Sequence, residues 1–268
     1  MALVLGIVIV LVIIQLTQRT AKPAASAAGQ APASVVQAVA AIPVATFDMV
    51  GAPAGAGPAP QVVGGQPPLT LHGKPAVVFV GAEFSPYSAV TGWAMVSALS
   101  RFGTFDHLGM TRSSSSQLYS PLDAFAFTGT TFSSHDIALQ AVDAYGATLS
   151  STAPAGYVAM TVPSGAAAQA LRRLDPSDGQ GPVLPFLDVG NRLVLVGAQG
   201  DASPELLAGL SMSGIVTALD DPSTAVAKAV LGEANDISAA ICASDGQMPA
   251  EVCHSSGVMA GAARLGLR

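Results

Sequence analysis

Residues 75–88 read Pro75-Ala-Val-Val-Phe-Val-Gly-Ala-Glu-Phe-Ser-Pro-Tyr-Ser88, and the fold turns on this stretch. Pro75–Val80 is a short apolar run after Gly73, the composition of a strand buried on both faces. Gly81–Phe84 turn the chain. Ser85-Pro86 then opens a helix: the Ser85 hydroxyl can accept from an unpaired N–H of the first turn, and Pro86 is preset for the first helical position. The helix is predicted to run to about Arg101, where Phe102-Gly103 stops it. Val90, Trp93, Ala94, Val96 and Leu99 give it one apolar face to bury.

Downstream, the chain is loop-rich beyond Gly109, through Thr111-Arg-Ser-Ser-Ser-Ser116. Ala124–Phe127 and Tyr157–Val162 read as strands, and Gly165–Leu174 as a helix capped by Ser164. Val183–Asp188, a Gly190-Asn191 turn and Arg192–Gly197 read as a hairpin. From Ser203 onward the pattern is helical, punctuated by Pro204, Pro222, Gly232 and Pro249. Strands flanked by helices predict an α/β domain over residues 69–201, with a helical C-terminal part over 202–268 packed on it. No internal repeat of fixed period is present.

Upstream, Ala2–Ile14 is an unbroken apolar run, and the uncharged stretch continues to Gln18 before Arg19. Eighteen helical residues rise about 27 Å, close to the roughly 30 Å hydrocarbon core of a bilayer. The basic leader and small-residue cleavage site of a signal peptide are missing, so residues 1–18 read as a single transmembrane anchor. Arg19 and Lys22 would by themselves favour a cytoplasmic C-terminal side, but long domains cross regardless of a few charges. The expected topology is single-pass in the cell membrane, with the globular part on the extracytoplasmic side. Residues 19–68 are dominated by Ala, Gly and Pro and read as an extended tether, with a short helix possible at Ser34–Ala41.

Only 10% of the 268 residues are charged and the formal net charge is −6. A typical soluble domain carries roughly a quarter charged residues. The acidic balance leaves no electrostatic footprint for nucleic acid. Residues 1–68 hold only Arg19, Lys22 and Asp48. The remaining 200 positions therefore still fall short of the usual charge density, a deficit that fits faces buried against other subunits.

The strand, the turn and the helix start at Ser85-Pro86-Tyr87-Ser88 resemble the thioredoxin fold, which places Cys-x-x-Cys there, often as Cys-Pro-Tyr-Cys. The likeness extends to Leu99-Ser-Arg-Phe-Gly-Thr-Phe105, the serine run, Pro185-Phe-Leu-Asp-Val-Gly-Asn191, Ala240-Ile-Cys242 and Val252-Cys253. Over about Leu69–Cys253 the chain resembles an uncharacterised family of membrane-anchored, thioredoxin-like proteins found mainly in actinobacteria and archaea. The resemblance implies that Pro185 is the proline held in cis beside the active site. It also implies that Ser85 and Ser88 stand where the redox cysteines were.

Thiol–disulfide exchange needs a thiolate and a second sulfur to resolve the mixed disulfide. Serine supplies neither at neutral pH, so Ser85 and Ser88 read as structural members of a helix start and the site as redox-dead. The only cysteines, Cys242 and Cys253, are eleven positions apart. That is not metal-ligand spacing. They read as a structural disulfide, the alternatives being two buried thiols or a redox pair. The histidines His72, His107, His135 and His254 are scattered; His135-Asp136 beside Ser133 and Ser134 is too local for a catalytic triad. No phosphate-binding glycine motif is present, and no metal or cofactor is expected.

These features predict a non-enzymatic, membrane-anchored accessory subunit of a multi-subunit envelope complex, a lipid transporter being one context. Its partners are the lipid bilayer and other membrane or envelope subunits. The alternatives are a thiol–disulfide oxidoreductase, whose cysteines have here been exchanged for serine, and a peptide- or lipid-binding protein using the groove near Ser85, Tyr87 and Pro185.

Overall fold

A computed structural model describes residues 29–54, 57–119, 121–153, 155–177 and 181–267. The anchor expected over residues 1–18 and the first ten residues of the tether lie outside the described residues. In chain order the elements are β1 (Gly29–Gln30), α1 (Ala33–Ala40), α2 (Val44–Val50), β2 (Gln61–Val62), β3 (Thr70–Leu71), β4 (Lys74–Ala82) and α3 (Pro86–Leu99). There follow β5 (Thr104–Asp106), β6 (Gly109–Arg112), β7 (Asp123–Ala126), β8 (Thr131–Ser133), β9 (Ala138–Leu149), β10 (Tyr157–Ala159) and α4 (Gly165–Leu174). The chain closes with β11 (Phe186–Val189), β12 (Leu193–Val196), a 3-10 turn at Pro204–Leu207, α5 (Met212–Asp220), α6 (Ala225–Asp245), α7 (Ala250–Cys253) and α8 (Ser256–Leu265).

The protein is α/β. Its main sheet runs β10-β9-β4-β11-β12-β2, with β3 pairing to β4. β4 and β9 are parallel, while β11 is antiparallel to both β4 and β12. Successive strand residues point to opposite faces, and β4 is apolar on both. Val77 and Phe79 join a core with α1, α2, α3, α5, α6 and α8, whereas Ala76, Val78 and Val80 join a second one with Ala166, Ala167 and Ala170 of α4. The β11–β12 hairpin turns at Gly190 and Asn191, both with positive φ (59° and 56°). Two smaller sheets, β1-β6-β7 and β5-β8, lie between α3 and β9 in the chain, apart from β1.

Three departures from the sequence expectations bear on the core. First, α3 is buried on all sides rather than on one face, Tyr87 being its only half-buried residue. Helices α1 and α6 and strands β4 and β7 pack around it, which the small residues Ala89, Gly92, Ala94 and Ala98 allow. Second, the expected tether is part of the fold from Gly29. Val35, Val39 and Phe47 are buried, Asn235 Nδ2 donates to the Phe47 and Gly51 carbonyls, and the Gly257 amide donates to Asp48. Ala/Val-rich sequence cannot make a core by itself, but it completes one when α3 and α5 supply the other side for α1, and α6 and α8 for α2. Third, the longest strand, β9, was not expected at all. Four of its twelve residues are Ala and most are half-buried, so they show neither alternation nor a β-branched run.

Among the described residues no single helix is long and apolar enough to cross a membrane. The pair α1 and α2, bent by 67°, would pass by length and composition together.

Candidate functional site

The end of β4 and the start of α3 bring Ser85, Pro86, Tyr87 and Ser88 into one turn, and both hydroxyls are used by the turn itself. Ser85 Oγ accepts from the Ser88 amide at 3.2 Å, the N-cap bond expected of it. Ser88 Oγ accepts from the Ala82 amide at 3.1 Å, tying the helix back to the strand. Both serines are buried.

Pro185 immediately precedes β11, in a cis Leu184–Pro185 bond. Phe186 pairs with Val80, so the antiparallel register sets Pro185 level with Gly81, at the end of β4 that leads to Ser85. Its carbonyl accepts from the Gly197 amide at 2.8 Å. Cys242 and Cys253 lie elsewhere, joined by a disulfide that links α6 to α7 with a Cα–Cα separation of 5.6 Å. The Ser164 side chain, expected to cap α4, makes no capping bond. Ser134, once weighed beside His135 and Asp136, has its hydroxyl engaged by the Phe102 carbonyl at 2.6 Å.

Besides Tyr87, several groups that the sequence did not single out surround the Ser85 turn. All four tyrosines of the chain gather there. Phe84 stacks on Tyr157 with ring centroids 3.9 Å apart and lies 6.2 Å from Tyr145, while Tyr87 meets Tyr119 edge-on at 6.2 Å. The hydrogen bond to Tyr119, with burial second, holds the Tyr87 hydroxyl above its ordinary pKa. The serine run folds over this end: the Ser114 amide donates to the Phe84 carbonyl at 3.0 Å, and Gln117 Nε2 donates to the Tyr157 hydroxyl at 2.8 Å. Leu118, at the tip of that loop, is 88% exposed.

Beneath the turn lie two carboxyl groups. Thr111 Oγ1 donates to Glu83 at 3.4 Å. Asp143 comes from β9, paired with Gly81. Burial raises Asp143 to about 7, with the Glu83 charge adding to the rise, against the Phe127 and Thr128 amides that stabilise its charged form. Glu83, Ser88, Thr111 and Asp143 line a small cavity of about 10 Å³, about the size of one water. Chemically this end offers hydroxyls, phenols and a carboxyl that titrates near neutrality, but no sulfur. Among the described residues no group of three or more His, Cys, Asp or Glu could hold a metal ion. The polar groups around Ser85 had no local signal, because strand pairing and the serine loop assemble them from residues 83, 111, 143 and 157.

A family model described as a domain of unknown function (DUF929) matches residues 63–153, a span that holds β4, the Ser85 turn, α3 and β9. No curated protein and no solved structure matches the chain.

Proposed function

We propose that the chain is a non-catalytic, membrane-anchored accessory subunit of an extracytoplasmic envelope complex, with a thioredoxin-like domain serving as a protein-binding module. The observation that carries the reading is the state of the Ser85–Ser88 turn. Both hydroxyls are spent on holding the helix start, and the only two cysteines of the chain are bonded to each other far from it. A turn that has kept its backbone design but not its sulfur can still present a face. The placement supports the thioredoxin-like part: a buried strand leads through a turn into Ser-Pro-Tyr-Ser at a helix start, with Pro185 entering the neighbouring strand beside it. The apolar run at Ala2–Gln18 supports the anchor.

Two measurements test this. In an insulin-reduction assay the full chain shows no turnover, while the double variant Ser85→Cys/Ser88→Cys gains it, because a helix N-terminus lowers a cysteine pKa. Turnover by the unaltered chain would overturn the non-catalytic reading, and a silent double variant that folds would overturn the thioredoxin-like one. Cross-linking in native membranes followed by gentle detergent extraction should yield the chain in a defined complex. Recovery of the chain alone would overturn the subunit reading.

A further inference from the structure

We propose that the folded domain sits directly against the bilayer, with the outer side of α1 and α2 as its lipid-facing surface. The inference rests on the anchor reading above and deepens it by naming the surface that meets the membrane.

The argument starts from reach. The uncharged run ends at Gln18 and the fold begins at Gly29, where β1 pairs with β6. Only Arg19–Ala28 lie between. Whatever their conformation, ten residues span at most ~36 Å, whereas the fifty residues 19–68, were they all tether, would span up to ~180 Å. A domain of this size has a radius of gyration of about 18 Å and so measures about 45 Å across. The link is shorter than the body it holds. The point where β1 begins therefore stays within ~36 Å of the end of the anchor, which favours the side that carries β1 and α1 as the one that meets the membrane.

The chemistry of that side agrees. From Gly29 to Val50 the only charged residue is Asp48, and its carboxylate is occupied by the Gly257 amide. Ala33, Gln37 and Ala40 of α1 are exposed, and on α2 Val44 is 40% and Met49 67% exposed. Approaching lipid headgroups therefore costs α1 and α2 themselves little desolvation of charge; Asp106 and His107, which line a groove with Ala33 and Gln37, border the face on the β5–β6 side. Val35, Val39 and Phe47 are committed to the core, which leaves the outer rim to lie on the membrane and not to enter it. The same geometry places the candidate site. β6 leads from Met110, the partner of Gly29, to Ser114, whose amide holds the Phe84 carbonyl. Four residues of strand cover at most ~14 Å. The Ser85 turn is thus held near the tethered end of the domain, and with that end docked on the bilayer its partner would be an extracytoplasmic loop of a membrane-embedded protein.

The test uses the full chain with single cysteines introduced by Ala33→Cys, Gln37→Cys or Arg172→Cys, each carrying an environment-sensitive fluorophore. Arg172 is exposed on α4, which packs on the opposite face of the main sheet from α1. The labelled chains are reconstituted in phosphatidylcholine–phosphatidylglycerol vesicles containing a lipid-borne quencher. Labels at positions 33 and 37 lose most of their emission, and the label at position 172 keeps its own. If the chain floats with the vesicles but labels at 33 and 37 are not quenched, or all three are quenched alike, the docking surface is wrong and the anchor stands. If the chain does not float with the vesicles, the anchor reading fails, and this inference with it.

Discussion

Asp143 Oδ2 accepts the Phe127 amide at 2.6 Å, and this bond fastens the β6–β7 pair to the main sheet. The Thr128 amide and hydroxyl, at 3.1 and 3.4 Å, reach the same oxygen. Asp143→Ala leaves buried donors without an acceptor and should cost about 2–3 kcal/mol in denaturant unfolding. Asp143→Asn keeps a carbonyl oxygen and should cost less. Equal losses for the two variants would show that the lost volume, not the acceptor, sets the effect.

The pH dependence of stability should run opposite to that of most proteins. Burial raises Asp143 to about 7, Asp188, Asp236 and Asp245 to about 6, and Glu233 to about 8. In the unfolded chain these groups lose their protons near pH 4. Between pH 4 and 8 the native state thus holds more protons than the unfolded state, and stability falls as pH rises. Thermal midpoints measured across that range should decline toward pH 8. Glu233→Gln should flatten the upper end of the decline, because its carboxyl is the last of the five to ionise.

Arg101 holds α2 in place. Its guanidinium lies 4.3 Å from the centre of the Phe47 ring and donates to Asn235 Oδ1, Ser238 Oγ and Ser255 Oγ at 3.1–3.2 Å. Burial brings its pKa down to about 10. Lysine cannot reproduce the fork. Arg101→Lys should therefore destabilise by about 2 kcal/mol or more and speed proteolytic cleavage near residues 44–51 under native conditions. Unchanged cleavage there would show that Asn235 and Gly257 suffice to hold the segment.

The Cys242–Cys253 bridge closes a short loop between α6 and α7. By loop entropy, removing it with Cys242→Ala/Cys253→Ala should cost about 3 kcal/mol. Equilibrium unfolding checks the value. A loss far below that would mean that Gly246 and the packing of Val252 already fix the loop in the unbridged chain.

The parts of the fold that could be read from sequence are those with local causes. Valine and phenylalanine mark β4, Ser85-Pro86 starts α3, and Gly190-Asn191 turns the hairpin, all without help from distant residues. β9 is different: an alanine-rich strand is recognisable only by its neighbour β4. The same holds for the packing of α1 and α2: α1 was legible as a short helix at Ser34–Ala41, but both read as part of a tether because their partners lie far along the chain, on α3 and α5 for α1 and on α6 and α8 for α2. At the candidate site Ser85 is legible as a cap and Ser88 as a residue of the first turn, since both are local; the bond from the Ala82 amide to Ser88 Oγ is not. Tyr119, Tyr145, Tyr157 and Asp143 are not legible there, since sheet pairing and the serine loop bring them to the turn.

The contacts of Phe47 and Asp48 also order events in time. Asn235 and Gly257, which hold these two residues, follow 188 and 209 positions later in the chain. Closing loops of that length is slow compared with forming local turns. During synthesis, residues 44–51 leave the ribosome long before the helices that complete their packing exist. The domain can therefore close around its first helices only once nearly the whole chain has been made.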